Sequence, residues 1–190
     1  DGTTVSSLGD FIIRSFVGPQ FAMDPRGVGY FIDNSGRRLW RTDGTPAGTQ
    51  VVIERSTFWL RQVIWHNGQL LLSATGPNGA ELWRSDGTAN GTVELRDIEP
   101  GSASSSPDLE GAALGRFFYF SASTGATGRE LWRTDGTAAG TTLVFDARPA
   151  ASSGAKDILR AGNRVFFSAY TGSSWVVHVT DGTTTRALNV

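Results

Sequence analysis

Asp43, Asp86, Asp135 and Asp181 each stand directly before a Gly-Thr pair. Aspartate in an Asp-Gly turn is an ingredient of calcium loops, where carboxylates supply hard oxygen ligands. Those loops need several acidic residues at short spacing, and none of the four turns has them. The expectation is a structural turn, with no metal and no cofactor. The carboxylate accepts backbone N–H groups ahead of it, Gly supplies a positive φ, and the Thr hydroxyl bonds the loop again. Arg41, Arg84 and Arg133 lie two residues before three of these aspartates, on the same strand face. Together they would make an anion-binding ring, but local Arg–Asp pairing is the preferred reading. His66 and His178 are the only histidines, and neither has partners at a spacing that suits zinc or a catalytic triad. The chain therefore reads as a non-enzyme, with His178 as a packing residue.

Two further groups have chemistry to offer. Asp108 and Glu110 lie on a strand read as the innermost of its unit, where they would line a central channel and hold a cation or water. Phe58, Trp59, Tyr170 and Trp175 are aromatics outside the repeated phrases. Phe58 and Trp59 fall in a connection between units, and Tyr170 and Trp175 flank a hairpin loop. Aromatic planes on a loop face suit stacking on sugars or peptides, so these four are the ligand-binding candidates. The alternative, that the rings simply cover gaps between units, stays open.

The elements that must position these residues come from an internal repeat. "RLWRTDGTPAGT" at 38–49, "ELWRSDGTANGT" at 81–92 and "ELWRTDGTAAGT" at 130–141 are one phrase written three times. Asp-Gly-Thr also occurs at 1–3 and 181–183, which sets a period of 42 to 49 residues. A catalytic site is normally built once, whereas a structural unit is built as often as it is stacked. Upstream of the phrase lie "NGQLLLSA", "GRFFYFSA" and "GNRVFFSA", and downstream lie "VVIERS", "VELRDI" and "LVFDAR". Each unit resolves into four short strands separated by Gly, Asn and Pro turns; in the third they fall near 108–114, 116–122, 129–134 and 141–147. Runs such as Phe117-Phe118-Tyr119-Phe120 are apolar on both faces and must be covered on both. Blades sandwiched between neighbours supply that cover. The fold expected is all-β, a β-propeller of four-stranded antiparallel blades, about four in the chain. As a single domain it divides into an outer strand at 1–18, blade one at 19–56, blade two at 57–100, blade three at 101–149 and blade four at 150–190. Trp40, Trp83 and Trp132 are the expected interblade wedges.

The phrases "ELWRSDGTANGT" and "ELWRTDGTAAGT", with the companion "FSA" and "RDIEPGS" segments, resemble the bacterial repeat proteins named for their ELWxxDGT motif. The resemblance covers most of the chain. It implies propeller-like repeats on a secreted or cell-surface bacterial protein, and it names no ligand. The fourth unit departs from the motif, with Val177-His178 in place of Leu-Trp and no second Gly-Thr. The first departs with Arg38 in place of Glu.

Bulk properties narrow the classes. Of 190 residues, 39% are hydrophobic and 18% charged, a folded composition. A net charge of -1 gives no footprint for nucleic acid, and no apolar run matches a membrane span. The absence of Cys removes disulfides and thiolate metal sites. A first residue of Asp1 reads as a processed or excised segment. Residues 1–16 align with the loop and outer strand that follow a Trp phrase, one outer strand too many for four blades. That strand is expected to pair with the last blade or with another copy, making a homo-oligomer through terminal strands possible. The function expected is a binding or adhesion module for a glycan or protein surface. A structural spacer and a propeller hydrolase are the rivals.

Overall fold

Strands alternate with tight turns along the whole described chain, as the spacing of turn residues requires. The computed structural model describes residues 18–188, and no helix occurs among them. The first sheet contains β1 (Phe21–Met23), β2 (Gly29–Ile32), β3 (Arg38–Thr42) and β4 (Gln50–Glu54). The second contains β5 (Trp59–His66), β6 (Gln69–Gly76), β7 (Gly79–Ser85) and β8 (Val93–Arg96). The third contains β9 (Asp108–Leu114), β10 (Phe117–Thr124), β11 (Gly128–Thr134) and β12 (Thr142–Phe145). The fourth contains β13 (Lys156–Ala161), β14 (Arg164–Tyr170), β15 (Trp175–Thr180) and β16 (Thr185–Ala187). Every sheet is a four-stranded antiparallel meander in chain order, and the fold is a β-propeller. β16 fills the outer position of the fourth sheet. The N-terminal strand expected at 1–16 lies outside the described residues.

Burial explains why the second strands are apolar throughout. Leu70, Leu71 and Leu72 on β6 are fully buried although successive side chains point to opposite faces. Leu70 and Leu72 pack with Tyr30, Ile32 and Leu39 of blade one. Leu71 packs with Phe118, Phe120 and Trp132 of blade three. The third interblade core repeats the pattern with Tyr119 and Leu131 against Val165 and Phe167. Trp83 and Trp132 sit in the first two of these cores as expected wedges. Trp83 meets Phe58 edge to face at 4.6 Å. His178 takes the wedge position of blade four, buried between Phe145 at 5.1 Å and Phe167 at 5.2 Å.

Trp40 keeps the register of Trp83, on the face of blade one turned away from blade two. Its neighbour Leu39 and the cross-strand Ile32 and Ile53 face blade two. Alternation sends Trp40 to the opposite face of blade one, where it stacks on Phe31 at 6.1 Å.

The first glutamate of the repeated phrase has a role that its sequence context did not disclose. Glu81 is fully buried and accepts from the Ser105 N–H at 2.7 Å, the Ser105 hydroxyl at 2.5 Å and the Ile98 N–H at 2.9 Å. Glu130 does the same with Ser153 and the Ala147 N–H. Each carboxylate ties down the segment that carries the chain from one blade to the next. Burial pushes both carboxyls above the usual range, against the opposing pull of the serine hydrogen bonds. In blade four Val176 holds this position, and in blade one Arg38 holds it and pairs with Glu54 at 2.7 Å.

Candidate functional site

The antiparallel meander gives the molecule two ends. The Asp-Gly-Thr loops join third strands to fourth strands at one end. The opposite end carries the loops between second and third strands and the crossovers that feed each innermost strand.

The Asp-Gly-Thr end is self-satisfied. Asp86 accepts from the Thr88 N–H at 2.9 Å and the Thr88 hydroxyl at 2.7 Å. Thr88 in turn accepts from the Gly91 N–H, and the Thr92 hydroxyl bonds both Ser85 and the Thr88 carbonyl. Asp43 and Asp135 repeat the arrangement. The trailing Gly is required because the carboxylate lies against its Cα: a Cβ on Gly91 would stand 2.0 Å from Asp86 Oδ1. Asp181, whose loop lacks that Gly-Thr, accepts instead from both Thr183 and Thr184. The threonine hydroxyl bonds hold all four carboxyls below the usual aspartate range.

Among the described residues none of the three arginines makes an ion pair with the aspartate that follows it, although Arg41 and Arg84 still help to lower the Asp43 and Asp86 carboxyls through space. The ion pairs among the described residues are Arg26–Asp24, Arg38–Asp33 and Arg38–Glu54. Arg133 instead donates to the Gly182 carbonyl of the next blade at 2.7 Å and lies over Phe117 at 4.3 Å. The threonine donors already satisfy each aspartate, which frees the longer side chain to bridge blades. Both histidines are spent on backbone. His66 Nε2 meets the Arg116 carbonyl at 2.9 Å, and His178 Nδ1 meets the Val176 carbonyl at 3.0 Å.

The opposite end carries the aromatic candidates and the clefts. Phe58 does not belong to it: at 3% exposure it is part of the first interblade core. The gap-covering alternative holds for this residue, because the short crossover drops it against Trp83. Trp59, the first residue of β5, lines a cleft of about 570 Å³ with Arg61, Gln62, Asp108 and Arg129. Gln62 donates to Asp108 at 3.0 Å and accepts from the Leu109 N–H at 2.6 Å. Arg129 donates to the Ser121 hydroxyl and the Ser106 carbonyl, both at 2.9 Å, and its burial lowers its proton affinity. The buried Ser73 hydroxyl in this wall has no hydrogen-bond partner among the described residues.

On blade four, Tyr170 and Trp175 are cross-strand partners with ring centroids 5.9 Å apart. Trp175 is 52% exposed. Lys156 Nζ stands 4.2 Å from the Trp175 ring, and Arg148 stands 5.7 Å from the Tyr170 ring. The tyrosine hydroxyl donates to the Gly172 carbonyl at 3.0 Å. Trp59 and Trp175 therefore share one end of the molecule but lie on different blades. The cations beside the blade-four rings were not among the sequence candidates. Lys156 is the chain's single lysine, and only the structure brings it to Trp175. Asp108 and Glu110 line a second cleft of about 420 Å³ with Lys156 and Asp157. The described residues hold no cluster of three or more metal-ligating side chains.

No protein-family model matches the sequence. No curated protein matches it either. Solved structures do. A puromycin hydrolase superposes with a TM-score of 0.61 at 18% identity, over 88% of this chain and 27% of its own. A putative TolB from Agrobacterium tumefaciens gives 0.56 at 15% identity, over 88% of this chain and 63% of that one. The calcium-binding protein regucalcin from the same organism gives 0.54 at 11% identity, over 95% and 61%. The chain spans about a quarter of the hydrolase and under two thirds of the other two. At these identities the likeness shows a shared propeller architecture.

Proposed function

We propose that the chain is a non-enzymatic binding module of an exported or surface bacterial protein, and that it takes carbohydrate on the end opposite the Asp-Gly-Thr loops. The observation that carries this reading is Trp175. A large aromatic side chain 52% exposed forgoes much of its burial energy. Here it is also held in place, with Lys156 against its ring, Tyr170 beside it and Gly154 close to its edge. A fixed, half-exposed indole plane with cations and hydroxyls around it fits the C–H face of a sugar and its hydroxyl rim. The resemblance to ELWxxDGT-repeat proteins supports the exported setting.

Two features argue against the hydrolase reading. Both histidines are buried and bonded to backbone carbonyls. The carboxylates of the Asp-Gly-Thr turns are committed to their own loops. The reading is tested on a glycan array with the parent protein and Trp175→Ala. Binding that the substitution removes supports it. A silent array with retained binding to a protein surface transfers the site to a protein ligand, and turnover of a glycoside or ester panel replaces the reading with an enzyme.

A further inference from the structure

We infer that the ligand is a linear, uncharged oligosaccharide lying along a track across blades two to four. The inference rests on the carbohydrate reading above. The two clefts share one lining residue, Asp108. The first runs from Trp59 and Arg61 on blade two to Arg129 on blade three. The second continues past Glu110 to Lys156 and Asp157 on blade four. Lys156 then contacts the ring of Trp175. A line of adjoining surfaces thus joins two tryptophans through Asp108 and Lys156. Each cleft alone falls within the usual size of a small-ligand pocket, and two sharing a lining residue suit a chain better than a single ring.

The charge along this track is balanced. Arg61, Arg129 and Lys156 face Asp108, Glu110 and Asp157, three cations against three carboxylates. Several are already compensated within the protein. Asp108 receives the Gln62 amide and the Glu110 N–H, and Arg129 is spent on Ser121 and Ser106. A polyanion would meet as much repulsion as attraction, whereas hydroxyls find donors and acceptors of both kinds. The innermost strands also bulge along this wall, between Leu60 and Gln62 on β5, between Asp108 and Ala112 on β9 and between Lys156 and Leu159 on β13. Asp157 has a φ of 54° within its bulge. Bulges re-aim side chains, here on three successive blades beside the clefts.

The test is calorimetric titration of the parent with malto-, cello-, chito- and laminari-oligosaccharides from monomer to hexamer. In the series that binds, the hexamer is expected to bind at least about tenfold more tightly than the dimer. Its affinity is expected to change less than about twofold between low and high salt. Glu110→Trp fills the second cleft from an exposed position. It should bring hexamer affinity down to that of the parent for the dimer at an unchanged melting temperature; hexamer binding as tight as the parent's overturns the track. Binding that is independent of length, yet abolished by Trp175→Ala, overturns the track and spares the carbohydrate reading. Tighter, salt-sensitive binding of hexagalacturonate overturns the uncharged ligand. Failure of every saccharide overturns both proposals.

Discussion

Trp83→Ala is expected to cost the propeller about 3 kcal/mol. The ring is 6% exposed in the core between blades one and two and meets Phe58 edge to face. Losing a buried tryptophan costs about 3–5 kcal/mol, and an aromatic pair adds about 0.5–1.5 kcal/mol. The indole N–H is buried without a partner among the described residues, a penalty the substitution relieves, so the lower end applies. The same ring leaves no room beside β6, since a Cβ on Gly76 would lie 2.4 Å from its Cζ2. Gly76→Ala alone should therefore cost about 1–3 kcal/mol by overpacking. In the Trp83→Ala background it should cost almost nothing, leaving a coupling energy near the full penalty. Urea unfolding of the four proteins measures the cycle, and the single tryptophan variant should melt roughly 6–12 °C below the parent. Additive effects, or a Trp83→Ala melting point within about 2 °C of the parent, would refute the wedge packing.

Other outcomes follow from the same contacts. Gly91→Ala should destabilise by about 1–3 kcal/mol, and Asp86→Ala in the same chain should remove most of that penalty; a penalty that persists would mean the carboxylate does not lie against Gly91. The turn aspartates titrate below their unfolded value near 3.8, so their contribution is present above about pH 4 and is lost as acid takes them through their lower folded values. Acid melts of Asp86→Asn and Asp135→Asn should show a shallower fall below pH 4 than the parent. Glu81 and Glu130 have the opposite sign. Raised above 4.5, they favour the fold most below that pH and lose the contribution as pH rises through their folded values. Glu81→Gln, Glu130→Gln should thus be flatter from pH 4 to 7, yet less stable by about 1–3 kcal/mol, because each amide faces N–H donors. EDTA should leave the melting temperature unchanged; a fall would place a cation in the Asp-Gly-Thr loops.

The fold was legible because its signals are local and repeated. The third unit was read as strands near 108–114, 116–122, 129–134 and 141–147, and they lie at 108–114, 117–124, 128–134 and 142–145. Turn chemistry and two-faced apolar runs set those limits without knowledge of the neighbours. What depends on the next blade was harder to see. Arg133 crosses to Gly182, a contact that no alternation rule within one strand contains. Glu81 looks like a surface residue by type, and it becomes a buried tether only because the crossover returns over it. Trp40 carries the same letters as Trp83, yet only Trp83 has a described blade on its side. Among the candidate ring residues, Trp175 was identifiable from its place beside a hairpin loop. Phe58 was not separable from it, since both are aromatics next to turns and burial is decided by the length of the crossover.

The central claim is that the repeated phrase builds the molecule while the other end carries its function. Blade four allows both halves to be examined in one glycan-binding and melting experiment, with Trp175→Ala beside Asp181→Ala. The account predicts that Trp175→Ala loses binding at an almost unchanged melting temperature. Asp181→Ala, which strips the acceptor from Thr183 and Thr184, should melt lower and bind as well as the parent below its transition. Loss of binding in Asp181→Ala with its fold intact, or full binding by Trp175→Ala, would contradict it.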